Sequence, residues 1–116
     1  MEIELKELFN IEWEFDKNIV LDSEKAYTIT AVIGPIDTSI SNEFSITVCN
    51  CAYVKQRVKE NGYFNGLWHL VIEEPTREKI TKYIEEQIKD ISGKRWEDCC
   101  EKLRLIGESE FENYMK

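Results

Sequence analysis

A chain of 116 residues, a third of them charged and with a net charge of −8, has room for one hydrophobic core, burying roughly two-thirds of the unfolded chain's surface. No apolar run approaches the ~20 residues that cross a bilayer, and the first residues form neither a basic nor an apolar leader, so the chain reads as one cytoplasmic domain over 1–116. The acid excess disfavours direct nucleic-acid binding, and four cysteines without a secretion signal read as reduced thiols.

Strand patterns come first along the chain. Ile3 and Leu5 alternate with acids, as do Ile11, Trp13 and Phe15, so residues 2–15 read as one interrupted strand or two short ones, with a bulge or turn near Asn10. Residues 27–33 are rich in β-branched side chains, place Tyr27, Ile29, Ala31 and Ile33 on one face, and stop at Gly34-Pro35. A loop leads to Phe44, Ile46 and Val48 on one face of the next strand, and the two strands should pair as a hairpin.

Helical periodicity then takes over. Asn50 is a suitable N-cap for a helix with Cys51, Val54 and Val58 in one stripe, stopped at Asn61-Gly62. Residues 67–73 read as a fourth strand. After Pro75, the stripe Ile80, Tyr83, Ile84, Ile88 and Ile91 predicts a long amphipathic helix ending at Gly93. The last helix should run from Arg95 to Ile106, burying Trp96, Cys99, Cys100 and Leu103, with Gly107 as its stop. The expected fold class is α+β: a mainly antiparallel sheet of four or slightly more strands, with about three helices packed on it.

No set of residues converges on catalysis. Cys49-x-Cys51 and the adjacent Cys99-Cys100 lack the spacing of zinc half-sites, and neighbours on a helix point about 100° apart. Cysteine on an apolar stripe is simply a small hydrophobe. His69, the single histidine, lies inside an apolar strand, where a hydrogen-bonded structural role outweighs that of a base for Cys49 or Cys51. The glycines stand isolated, without a phosphate-cradling loop, and no basic patch with interleaved aromatics is present. Neither a cofactor nor a metal is called for.

The charge is uneven. Residues 1–48 hold ten acids against three lysines, a net −7. Such a half attracts basic proteins, although acids also keep strand edges soluble. Trp13 between Glu12 and Glu14 has the make-up of an interface anchor, although a core position is the commoner fate of tryptophan.

Several segments, in this order, resemble one family: the opening Glu4-Leu5-Lys6, the strand Phe44-Ser45-Ile46-Thr47-Val48-Cys49, and the ending Gly93-Lys94-Arg95-Trp96-Glu97-Asp98, Leu103 and Glu110-Phe111-Glu112-Asn113-Tyr114. Together they are similar to the immunity protein 8 family of bacterial polymorphic toxin systems. The family pattern has Thr-Pro and a Trp where this chain has Asn50-Cys51 and Tyr53. The resemblance implies a non-enzymatic protein that binds a cognate toxin domain and blocks its active site or substrate access. An acidic binding face points to a basic toxin, nucleases being common examples. Docking is then expected on the β half through Glu12, Trp13, Glu14, Asp16, Asp37 and Glu43. A regulatory module with an unrelated protein partner, and less favourably a cysteine-based metal or redox protein, are the alternatives from the residues alone.

Overall fold

The computed structural model describes residues 1–9, 25–73 and 75–110. In chain order the elements are β1 (Ile3–Phe9), β2 (Tyr27–Pro35), β3 (Asn42–Cys49), α1 (Cys51–Asn61), β4 (His69–Val71), α2 (Arg77–Ile88), α3 (Trp96–Leu103) and β5 (Glu108–Ser109). The strands form one mixed, mostly antiparallel sheet in the order β1-β2-β3-β4, with β5 also pairing β3. The fold is thus the expected α+β class, with three helices and a five-stranded sheet.

Alternation decides which face of the sheet is the core. Ile29, Ala31 and Ile33 on β2 and Phe44, Ile46 and Val48 on β3 are all buried, and the antiparallel register sets Ile29 against Ile46 and Ala31 against Phe44. Each of the larger side chains contributes roughly 1.5–3 kcal/mol by leaving water. On β1 the apolar phase slips: Ile3 and Leu5 are followed by Leu8, an odd step. A bulge resolves it, because the register shifts between Leu5 and Glu7 and Lys6 has no partner in the ladder. The bulge therefore lies at Lys6, while Asn10 is outside the described residues.

Two helices close the core from one side. Thr76 caps α2 by accepting from the Lys79 amide at 3.1 Å, and Ile80, Ile84 and Ile88 follow on one buried stripe. Arg77 ties the first turn of α2 to the end of β1, donating from Nη1 to the Leu8 carbonyl at 2.7 Å. The helix ends at Ile88, short of the expected stop at Gly93, and Ile91 remains half-buried against the core from the following loop. α3 is also shorter than the expected 95–106. It buries Cys99 and Leu103 completely and leaves Trp96 and Cys100 half-buried. Gly107 then packs so closely on Phe44, Ser45 and Ile46 of β3 that an added Cβ would lie 3.0 Å from the Ser45 carbonyl oxygen. That close approach lets the chain turn directly from α3 into β5.

The expected strand over 67–73 contracts to His69–Val71, and it runs parallel to β3, with Thr47 opposite His69 and Cys49 opposite Val71. A parallel neighbour requires a crossover, which α1 provides. Trp68 cannot extend β4 backwards because its φ is +59°. This left-handed geometry costs a side-chain-bearing residue roughly 1–2 kcal/mol, and it is held by Trp68 Nε1 donating to the Arg104 carbonyl at 2.7 Å.

Candidate functional site

The two faces of the sheet differ in what covers them. The buried residues of α2 and α3 join the core cluster on one face, whereas α1 buries none of its residues. Among the described residues no helix places a buried side chain on the opposite face of β1, β2 and β3. The ladder assembles that face in rows: Glu7 beside Val32 beside Glu43, then Phe9 beside Thr30 beside Ser45 beside Glu108. Glu7, Thr28 and Glu43 are exposed, and Phe9, Thr30, Val32, Ser45 and Glu108 are half-buried, as neighbours shield one another on an open sheet.

Charge on this face is predominantly negative. Glu4, Glu7, Glu43 and Glu108 occupy it, and Lys6 is its cation, 3.4 Å from Glu4. Among the described residues no cation pairs with Glu7, Glu43 or Glu108. Glu110 adds a carboxylate at the margin, where its Oε1 accepts from the Glu43 amide at 3.0 Å.

The β2–β3 hairpin continues this surface. Lys6 Nζ donates to the Thr38 carbonyl. Thr38 Oγ1 donates to the Pro35 carbonyl at 3.0 Å and accepts from the Ile40 amide at 3.3 Å. The Ile36 amide donates to the Glu2 carbonyl at 3.1 Å. Held in this way, the tip presents Ile36 and Ile40 at 38% and 52% exposure, beside exposed Asp37. Asp37 has φ +60°, a conformation that aspartate tolerates better than most residues.

The structure thus places two of the six sequence-predicted binding residues. Asp37 sits at the hairpin tip and Glu43 on the open face, each exposed. Glu12, Trp13, Glu14 and Asp16 lie outside the described residues. Glu7 was not singled out from the sequence, because only strand register, through Val32, puts it in one row with Glu43.

The cysteine and histidine groups have a different chemistry. Burial raises the pKa of Cys49, with Cys51 adding a smaller push, and burial raises Cys100 to about 11 against a partly opposing hydrogen bond from Asn42. Asn42 Nδ2 lies 3.1 Å from Cys100 Sγ. Cys51 opens α1, a position that ordinarily favours thiolate. There a hydrogen bond to Glu73, and then its negative charge, raise the thiol instead. His69 Nδ1 lies 2.7 Å from the Leu67 carbonyl, and its ring meets the Phe64 ring edge-on at 4.8 Å. Each shift favours the protonated thiol, and among the described residues no group of three histidine, cysteine, aspartate or glutamate side chains is placed to hold a metal ion.

α1 corrects a further expectation. Its stripe Cys51, Val54 and Val58 does not face the core: Cys51 is exposed and Val58 is 43% exposed. The inward side instead holds Tyr53 and Arg57, with the guanidinium 5.0 Å from the Tyr53 ring centroid and that ring edge-on to Phe64 at 6.3 Å. The exposed side of α2 forms a shallow groove lined by residues such as Arg77, Glu78, Lys82 and Glu85, whose opposite charges alternate. No helix among the described residues is long and apolar enough to cross a membrane.

Comparison with curated proteins and with solved structures gives no match. A family model described as Immunity protein 8 matches residues 20–114, which takes in every element from β2 to β5. On that match the chain belongs to the immunity protein 8 family.

Proposed function

We propose that this protein binds the toxin domain encoded beside it and neutralises that domain by covering its active site or its substrate path. Membership of an immunity family carries the coarser statement, an immunity role against a toxin. Support for direct binding comes from the acidic face of β1, β2 and β3, on which no helix among the described residues buries a side chain. Such a protein acts without a cofactor and without turning over substrate, in the cytoplasm where the toxin would otherwise act. It needs a preorganised surface of roughly 800 Å² on its own side.

The acid balance favours a basic toxin, a nuclease being the type whose polyanionic substrate demands positive charge. Docking on the β half would use Glu12, Trp13, Glu14, Asp16, Asp37 and Glu43. The test is co-expression of the neighbouring toxin domain with and without this chain, followed by purification of the mixture. Rescue of growth together with a stoichiometric complex is the expected result. Growth arrest despite soluble, folded protein would overturn the reading, as would rescue without any complex.

A further inference from the structure

Resting on that reading, we propose that the toxin docks on the uncovered face of β1, β2 and β3 and on the adjoining hairpin tip, presenting a basic surface with an apolar recess. No helix among the described residues buries a side chain on this face, and its charge selects the partner. Glu7, Glu43 and Glu108 project from a sheet whose midline is Val32 and Thr30, so a wide and nearly flat basic patch can approach all three carboxylates. Lys6, the cation on this face, is already occupied by Glu4 and the Thr38 carbonyl and offers little repulsion.

Size decides that the hairpin must take part. Three strand columns about 4.8 Å apart, with about eight residues each rising about 3.3 Å, give a footprint of roughly 380 Å². A stable complex covers roughly 800 Å² per partner, so the sheet alone falls short. The tip supplies what is missing, with Ile36 and Ile40 as apolar contacts beside the Asp37 carboxylate. It is also preorganised: Thr38 bridges the Pro35 carbonyl and the Ile40 amide, and Lys6 holds the Thr38 carbonyl from β1. Little conformational entropy remains to be lost when it binds. The exposed stripe of α1 is a poorer surface for the same partner, because the exposed Lys55 and Lys59 on that helix outnumber Glu60 and would repel a basic toxin.

The experiment measures affinity of the full chain for the neighbouring toxin domain, with the thermal midpoint of each variant as a folding control. Glu7→Lys combined with Glu43→Lys should weaken binding roughly 30-fold or more, whereas Glu78→Lys with Glu85→Lys, an equal change of net charge on α2, should stay within about threefold. Ile36→Ser with Ile40→Ser, at exposed positions, should weaken binding roughly tenfold and slow association little, because apolar contacts act mainly on dissociation. Lys6→Met leaves the face more acidic yet releases the tip. A weaker complex from this variant supports preorganisation, and a tighter one overturns it. Retained affinity in the Glu7/Glu43 variant, or binding abolished by Val58→Asp on α1 while the sheet-face variants bind normally, overturns the docking face. Failure of the unaltered chain to bind the toxin would instead bring down the immunity reading itself.

Discussion

Gly34 shows how one missing side chain can shape a surface. It lies at the end of β2, where an added Cβ would overlap the Ile40 carbonyl oxygen and lie 2.8 Å from Lys6 Cε. The hairpin folds back on itself there, and the lysine crosses over it to reach Thr38. Gly34→Ala should therefore cost about 1–3 kcal/mol, typical of overpacking against backbone, whereas Gly66→Ala, whose nearest neighbour would be Phe64 at 3.9 Å, should be close to neutral; chemical denaturation compares the two. Cys100 makes a second prediction at this scale. Burial raises its folded-state pKa to about 11, while an unfolded thiol titrates near about 8.5. Below that lower value both states are protonated, and the contribution is fully present. As pH rises through the window the unfolded state ionises first, so stability is lost until the folded thiol ionises as well. The slope of stability against pH between about 8.5 and 11 should accordingly flatten in Cys100→Ala, read from denaturation midpoints relative to the unaltered protein at each pH.

The helices divide by what their apolar residues touch. On α2, Ile80 and Ile84 are fully buried and Ile88 nearly so. On α1 the capping follows the sequence, with Asn50 Oδ1 accepting from the Tyr53 amide at 2.9 Å and Gly62 closing the helix at φ +82°. The apolar stripe on α1, however, stays at the surface. Ile84→Ala should thus cost about 2–5 kcal/mol and Val58→Ala less than about 0.5, with Asn50→Ala at about 1 from loss of the cap. Thermal or urea unfolding of the three variants gives the comparison. A large loss from Val58→Ala would mean that α1 has a buried face after all. Trp96, expected at the core from its place at the head of α3, is half-buried, so its truncation should fall below the roughly 3–5 kcal/mol of a fully buried tryptophan. The end of α2 has the same origin. Ile91 continues the helical stripe in sequence, yet it reaches the core from a turn, with its amide donating to the Ile88 carbonyl at 3.0 Å.

At the scale of the whole molecule, charge and architecture coincide. The half of the chain that carries nearly all the excess acid also builds β1, β2 and most of β3, and Glu4, Glu7 and Glu43 stand on one face of that sheet. Association with a basic toxin should slow as salt rises, since the screening length falls from about 30 Å at 0.01 M to about 8 Å at 0.15 M. Dissociation should change less, a split that stopped-flow mixing at several ionic strengths resolves. Much of this organisation was legible in the residues. Period-two alternation identified β2 and β3 and their hairpin, cap residues located α1, and the isoleucine stripe located α2, because each signal is local and repeats within one element. The family resemblance was legible too, in short segments whose order is a property of sequence alone. The tertiary structure decided what depends on distant partners: the bulge at Lys6 that keeps Leu8 in the core, the parallel pairing of β4, the two-residue β5, and the face of α1 left outside. It also decided the candidate site. Alternation puts Glu7 and Glu43 opposite the apolar face of their own strands, but only the register through Val32 makes them neighbours. A periodic pattern states which side of an element is apolar; the packing of the remaining elements determines whether that side, or its opposite, meets water.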